Sequence, residues 1–159
     1  MKVTIICSDK QHPIYPYLEE WKKLNLDKYD VEVVNKVREL SLSTDICFLV
    51  SCSEVLTREA RSLFRYCLVL HASDLPLGRG WSPHIWDVIN GKKELTLSLI
   101  NAEDSVDTGD IWKQSKIQLS GYELYDEIND YLFRSQLEFI TWACEHIDKS
   151  IATPQKDID

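Results

Sequence analysis

Two polar segments of this 159-residue chain carry residue types that can move protons. The first is His71-Ala72-Ser73-Asp74-Leu75-Pro76-Leu77-Gly78-Arg79-Gly80, and the second is Asn101-Ala102-Glu103-Asp104-Ser105-Val106-Asp107-Thr108-Gly109-Asp110. A histidine set against a carboxylate can act as a general base, because the anion orients the ring and balances the charge the ring acquires. The same histidine can be purely structural, bonded to a backbone carbonyl, and the residue types alone leave both readings open.

These segments need a scaffold that brings them together. Val3–Cys7, Val31–Val34, Asp45–Val50 and Tyr66–Leu70 are short, almost continuously apolar runs that read as buried strands. A helix-like stretch over 17–24 and a second over 58–64, capped by Thr57, alternate with them. This pattern predicts an α/β fold, a three-layer Rossmann-like sandwich whose mostly parallel, twisted sheet has helices on both faces. In such sheets ligands bind beyond the carboxyl ends of the strands, and His71 follows one such end. Ser82 and Pro83 then open a helix that Asn90-Gly91 stops. Leu95–Ile100 and Ile111–Leu119 read as further strands, the latter antiparallel and near an edge. The Ser120-Gly-Tyr-Glu123 capping box predicts a long helix whose stripe Leu124, Ile128, Leu132, Phe139, Ala143 and Ile147 packs on the sheet. Residues 1–150 are expected to form one domain and 151–159 a polar, frayed tail.

Composition excludes several classes. No apolar run is long enough to span a membrane, and the first apolar stretch is too short for a leader, so no membrane association is expected. Five scattered cysteines without C-x-x-C spacing argue for reduced thiols, a cytoplasmic location and no metal. The net charge of −8 weighs against nucleic acid as a partner.

The stretch from about residue 66 to 118 resembles the formyltransferase family that uses 10-formyltetrahydrofolate. That family's pattern is Asn-x-His-x-Ser-x-Leu-Pro-x-x-x-Gly, followed a helix and a strand later by Asp-x-Gly-x-Asp-x-Gly. Here His71 to Gly80 stands for the first and Asp104-Ser105-Val106-Asp107-Thr108-Gly109-Asp110 for the second, with Ile85–Gly91 between them. The resemblance implies that His71 and Asp107 are catalytic, that Asn101, Asp104, Ser105 and Val106 hold the folate, and that no metal is needed. The family asparagine that would bond the formyl oxygen is replaced by Val69. Loss of one such donor can cost about 3 kcal/mol. Ser73, Asn101 and a protonated His71 are the candidates to assist in its place.

The resemblance further implies a small-molecule amine as acceptor. Methionyl-tRNA formyltransferase carries a second domain for which this chain has no room, and the stretch after the first strand lacks the glycines of a phosphate loop. Trp81, in Trp81-Ser82-Pro83-His84-Ile85-Trp86, can stack on a sugar or base, and Lys10 and His12 can meet a phosphate. Lys10 reads equally as a solvated charge, and tryptophan is more commonly core. These residues favour an amino sugar or sugar nucleotide. A non-catalytic member that binds folate, sugar nucleotide or a protein partner stays open, as does a formyl-folate hydrolase. The short first half exposes a sheet edge, which makes a homodimer reasonable.

Overall fold

The computed structural model describes residues 1–41, 44–80 and 83–156. The stacking residue Trp81 and the helix cap Ser82 lie outside them, and of Trp86 only the backbone is described. Six strands, β1 (Lys2–Ile6), β2 (Asp30–Val34), β3 (Thr44–Leu49), β4 (Phe64–His71), β5 (Glu94–Asn101) and β6 (Ile111–Gln118), form one sheet in the order β2-β1-β3-β4-β5-β6. The first four pair in parallel. β6, at the edge, pairs antiparallel with β5 as expected, whereas the reversal of β5 against β4 is not foreseen by the sequence.

One face carries the main core. Val3, Ile5, Ile46, Phe48, Leu68, Leu70, Leu97 and Leu99 pack there against α1 (Tyr15–Leu24) and α4 (Tyr125–His146). The other face presents Ile6, Cys47, Leu49 and Phe64 to a thinner layer, built from Leu56, Ala60 of α2 (Arg58–Arg61), and Val37 and Leu40 of a 3-10 turn. Alternate residues of β1, β3 and β4 are therefore buried on both sides, which is why these strands read as continuous apolar runs.

Two local expectations change. Thr57 does cap α2, its Oγ1 accepting from Ala60 N at 3.1 Å, but the helix ends at Arg61 and β4 already begins at Phe64. At the start of α4, Glu123 does reach back to the Ser120 and Gly121 amides. However, Gly121 sits at φ 96, where the chain turns, and the helix begins only at Tyr125 with no side-chain cap. Leu124 is accordingly 69% exposed and leaves the packing stripe. The remaining stripe residues, Ile128, Leu132, Phe139, Ala143 and Ile147, are buried as expected. α3 (Pro83–Ile89) ends two residues before Gly91, which turns the chain at φ 78.

The tail is more ordered than its polarity suggests. Thr153 pairs with Ile111 at 2.7 and 2.8 Å, extending the sheet edge by one bridge. No described helix is long and apolar enough to cross a membrane.

Candidate functional site

The loops that follow β1, β3 and β4 open at one end of the sheet onto a cavity of about 350 Å³. His12, the segment 51–56 and His71 line it from these loops, and the loop after β5 supplies Asn101–Glu103 and Ser105–Asp107. The carboxyl ends of β1, β3 and β4 point the same way, and β5 runs back along only the last four residues of β4, with Asn101 opposite Leu68, so the loop carrying Asp107 leaves β5 beside that end.

His71, the last residue of β4, is held from two sides. Its Nδ1 lies 3.5 Å from Asp107 Oδ2, and both side chains are 8% exposed. Its Nε2 lies 2.7 Å from the Gly78 carbonyl oxygen. Both neighbours are acceptors. A neutral ring has one N–H, so one neighbour faces a lone pair, whereas the doubly protonated ring can donate to both. The same turn that holds His71 also holds its partner, because Gly80 N donates to Asp107 Oδ2 at 3.0 Å. Asp107 itself adopts φ 56, a left-handed conformation that aspartate and asparagine tolerate better than most residues.

The loop carrying Asp107 is tied at several points. Asn101 N donates to Asp110 O at 3.0 Å, and a Cβ at Gly109 would collide with the Asn101 carbonyl, so only glycine permits this approach. Gln155 of the tail donates to the carbonyls of Asp107 and Gly109 at 2.8 and 2.9 Å and accepts from Arg79 at 2.8 Å. One side chain thus links the turn over His71 to the loop of Asp107.

The residues expected at the site divide. His71, Asp107, Asn101, Ser105, Val106 and His12 line the cavity. Asp104 does not: its exposed carboxylate pairs with Arg58 and Arg61 of α2, and the Arg61 hydrogen bond chiefly holds its pKa below the usual range. Ser73 is buried outside the lining, with an Oγ that has no partner among the described residues. Lys10 is exposed and outside the lining. Val69 faces the cavity and brings no donor, while Asn101 Oδ1 accepts from Trp112 Nε1 at 2.7 Å, which leaves its amide nitrogen to donate.

The sequence reading missed His84, Asn129 and Gln136, which also line the cavity. Burial is the main cause that lowers the pKa of both His84 and His12, favouring neutral rings. His12 Nδ1 accepts from Ile14 N at 3.1 Å, which only an unprotonated nitrogen can do. Asn129 and Gln136 looked like filler between the apolar positions of α4. The available signal was that 129, 132, 133 and 136 share one helical face. Among the described residues no group of three histidine, cysteine, aspartate or glutamate side chains is placed to hold a metal ion.

Comparison with known proteins follows the same geometry. A family model described as formyl transferase matches residues 3–136. A methionyl-tRNA formyltransferase of Clostridium beijerinckii is 29% identical over 130 residues, 81% of this chain and 42% of the relative. The chain spans about two fifths of the length of that relative. Among solved structures, methionyl-tRNA formyltransferase from Clostridium thermocellum superposes with a TM-score of 0.82 at 22% identity, over 99% of this chain and 70% of that one. The formyltransferase PseJ from Anoxybacillus kamchatkensis, in complex with UDP-4,6-dideoxy-4-formamido-L-AltNAc and tetrahydrofolate, superposes with 0.71 at 15% identity, over 99% of this chain and 83% of that one. At these identities the two structures share the fold.

Proposed function

The chain belongs to the formyl transferase family, and from that premise we propose that it transfers a formyl group from 10-formyltetrahydrofolate to the amine of a small acceptor, an amino sugar or its nucleotide conjugate. The observation that carries this reading is the buried His71–Asp107 pair at the wall of a cavity between the loops.

In the proposed reaction the acceptor nitrogen attacks the formyl carbon, the bond from that carbon to the folate nitrogen breaks, and one proton passes from the amine to the folate. His71 carries that proton or, as the charged ring, balances the negative charge that builds on the formyl oxygen. Its Nε2 reaches the reacting atoms once the Gly78 carbonyl gives way. Asp107 orients the ring and holds its charge. Asn101, Ser105 and Val106 form the wall against which the folate lies. Of the two neutral side chains considered in place of the family asparagine, Asn101 lines the cavity and Ser73 does not.

The acceptor is the least constrained part. The relative from Clostridium beijerinckii is named for methionyl-tRNA, so the acidity of this chain does not by itself rule out a nucleic-acid acceptor. An amino sugar is favoured because the described residues lining the cavity include no lysine or arginine. Val69 favours a second reading, a member that binds folate and acceptor without turnover.

The test is an assay of the purified chain with 10-formyltetrahydrofolate and a panel of amino sugars and their nucleotides. Formyl transfer that disappears in His71→Ala is expected. Transfer that persists in that variant ends the assignment of His71. Folate binding without turnover supports the binding module, and formate release without an acceptor supports a hydrolase.

A further inference from the structure

One wall of the cavity is made of polar groups with nothing to bond. Asn129 and Gln136 on α4 are 6% and 7% exposed and line the cavity, and no hydrogen bond to either side chain is seen among the described residues. Gln136 Oε1 is fully buried without a partner among the described residues, and so is Nδ1 of His84 on α3, which lines the same cavity. Buried amides in folded proteins are nearly always paired, and each exception calls for an unseen partner. Here two such groups, Gln136 Oε1 and His84 Nδ1, belong to residues of two elements that line the same space, and Asn129 lines it beside them.

The helix explains why they face together. Residues 129 and 136 are seven apart, two turns on one face, and Leu132 and Phe133 lie between them. Their Cα atoms are therefore about 10 Å apart along the axis. One pyranose ring with a hydrogen bond at each end fills that span. The groups also define the chemistry of what binds. A primary amide offers both a donor and an acceptor, and so does a hydroxyl. The charged residues that line the cavity are Glu54, Glu103 and Asp107, with no lysine or arginine among the described residues. A phosphate or carboxylate placed against this wall would meet repulsion and no compensating cation. An apolar side chain would leave the amides as unpaired as they are now.

We infer that Asn129, Gln136 and His84 form the acceptor subsite and bind the uncharged hydroxyl and amide groups of a pyranose that carries the reacting amine. This rests on the formyl-transfer reading for its function, although the binding claim can be tested separately. Any phosphate of a nucleotide-linked acceptor then lies outside this wall.

The test uses the full chain saturated with tetrahydrofolate, and three probes: D-glucosamine, D-galactosamine and methioninamide. Binding is measured by saturation-transfer NMR in the parent, in Asn129→Leu and in Gln136→Leu. At least one hexosamine is expected to bind the parent, with affinity falling tenfold or more in both variants while tetrahydrofolate affinity changes less than twofold. Because neither amide has a protein partner to lose, both variants should melt no lower than the parent. The inference is overturned if no hexosamine binds the parent, if hexosamine affinity is unchanged in the variants, or if methioninamide alone binds. It is also overturned if the variants melt lower with no change in probe binding. Hexosamine binding that depends on both amides, without formyl transfer to any amine, leaves the subsite standing and removes the transfer reading.

Discussion

Asp107→Asn separates the charge of this residue from its geometry. Asparagine tolerates the left-handed backbone at φ 56 and keeps an oxygen to accept from Gly80 N, now at 3.0 Å. What it removes is the negative charge 3.5 Å from His71 Nδ1. At that distance and an effective dielectric of about 20, a charged ring and a carboxylate attract by roughly 5 kcal/mol. The amide oxygen retains part of that attraction through its dipole, so about 2–4 kcal/mol is lost from any step in which His71 is charged. This corresponds to roughly a 30- to 1000-fold fall in kcat. Stability should change by less than about 1 kcal/mol, since the hydrogen bond and backbone conformation persist. The measurement pairs turnover of 10-formyltetrahydrofolate with urea unfolding of the same preparations. A variant that folds normally and turns over within threefold of the parent would show that His71 does not work through the Asp107 charge.

Three further outcomes are expected. Val69→Asn returns a donor to the cavity wall beside His71. If that donor limits the reaction, kcat rises tenfold or more, toward the ~3 kcal/mol such a group can supply, and an unchanged rate with folate binding intact shows that the donor comes from elsewhere. Stability should fall with acidity below pH 6.5, the ordinary histidine value, because burial lowers the pKa of His12 and His84: the unfolded chain then binds protons that the folded one does not. Urea midpoints at about pH 7.5 and about pH 5 read this directly, and the difference should shrink in the double variant His12→Gln, His84→Gln. Gln155→Ala removes both bonds to the Asp107 and Gly109 carbonyls, at about 0.5–1.5 kcal/mol each, so amide exchange at Gly80 should quicken by roughly 5- to 150-fold.

The site was legible where backbone geometry and residue type agree. His71 at a strand end and Asp107 in a loop with glycine are paired by the motifs of the resemblance; β5 runs antiparallel to β4, and the two side chains meet because β5 covers only the last four residues of β4. The parallel order of the first four strands followed from their unbroken apolar runs. Long-range partners were not legible. Asp104 looks like a ligand-facing acid until α2 brings Arg58 and Arg61 to it. Gln155 sits in a polar stretch whose composition suggests fraying, and only the pairing of Thr153 with Ile111 delivers it to the loop. Asn129 and Gln136 were hidden by periodicity itself, since an apolar stripe draws attention to its apolar members. The early end of α2 and late start of α4 show tertiary demands overriding local capping: β4 needs Phe64 for its core, and Gly121 turns the chain before the helix can begin.

The link through Gln155 also orders events during synthesis. Gln155 lies 48 residues after Asp107 and 46 after Gly109, the two carbonyls it bonds. At about 5–20 residues per second, a ribosome makes this side chain roughly 2–10 s after the loop it fastens. All six strands precede it, so the nascent chain can complete its sheet while the turn over His71 and the loop of Asp107 still lack their common fastener. Gln155 is thus the last residue bonded to the Asp107 loop to be made. The same order means that a chain ending after α4 would carry all six strands and the His71–Asp107 pair without the Gln155 link between their loops.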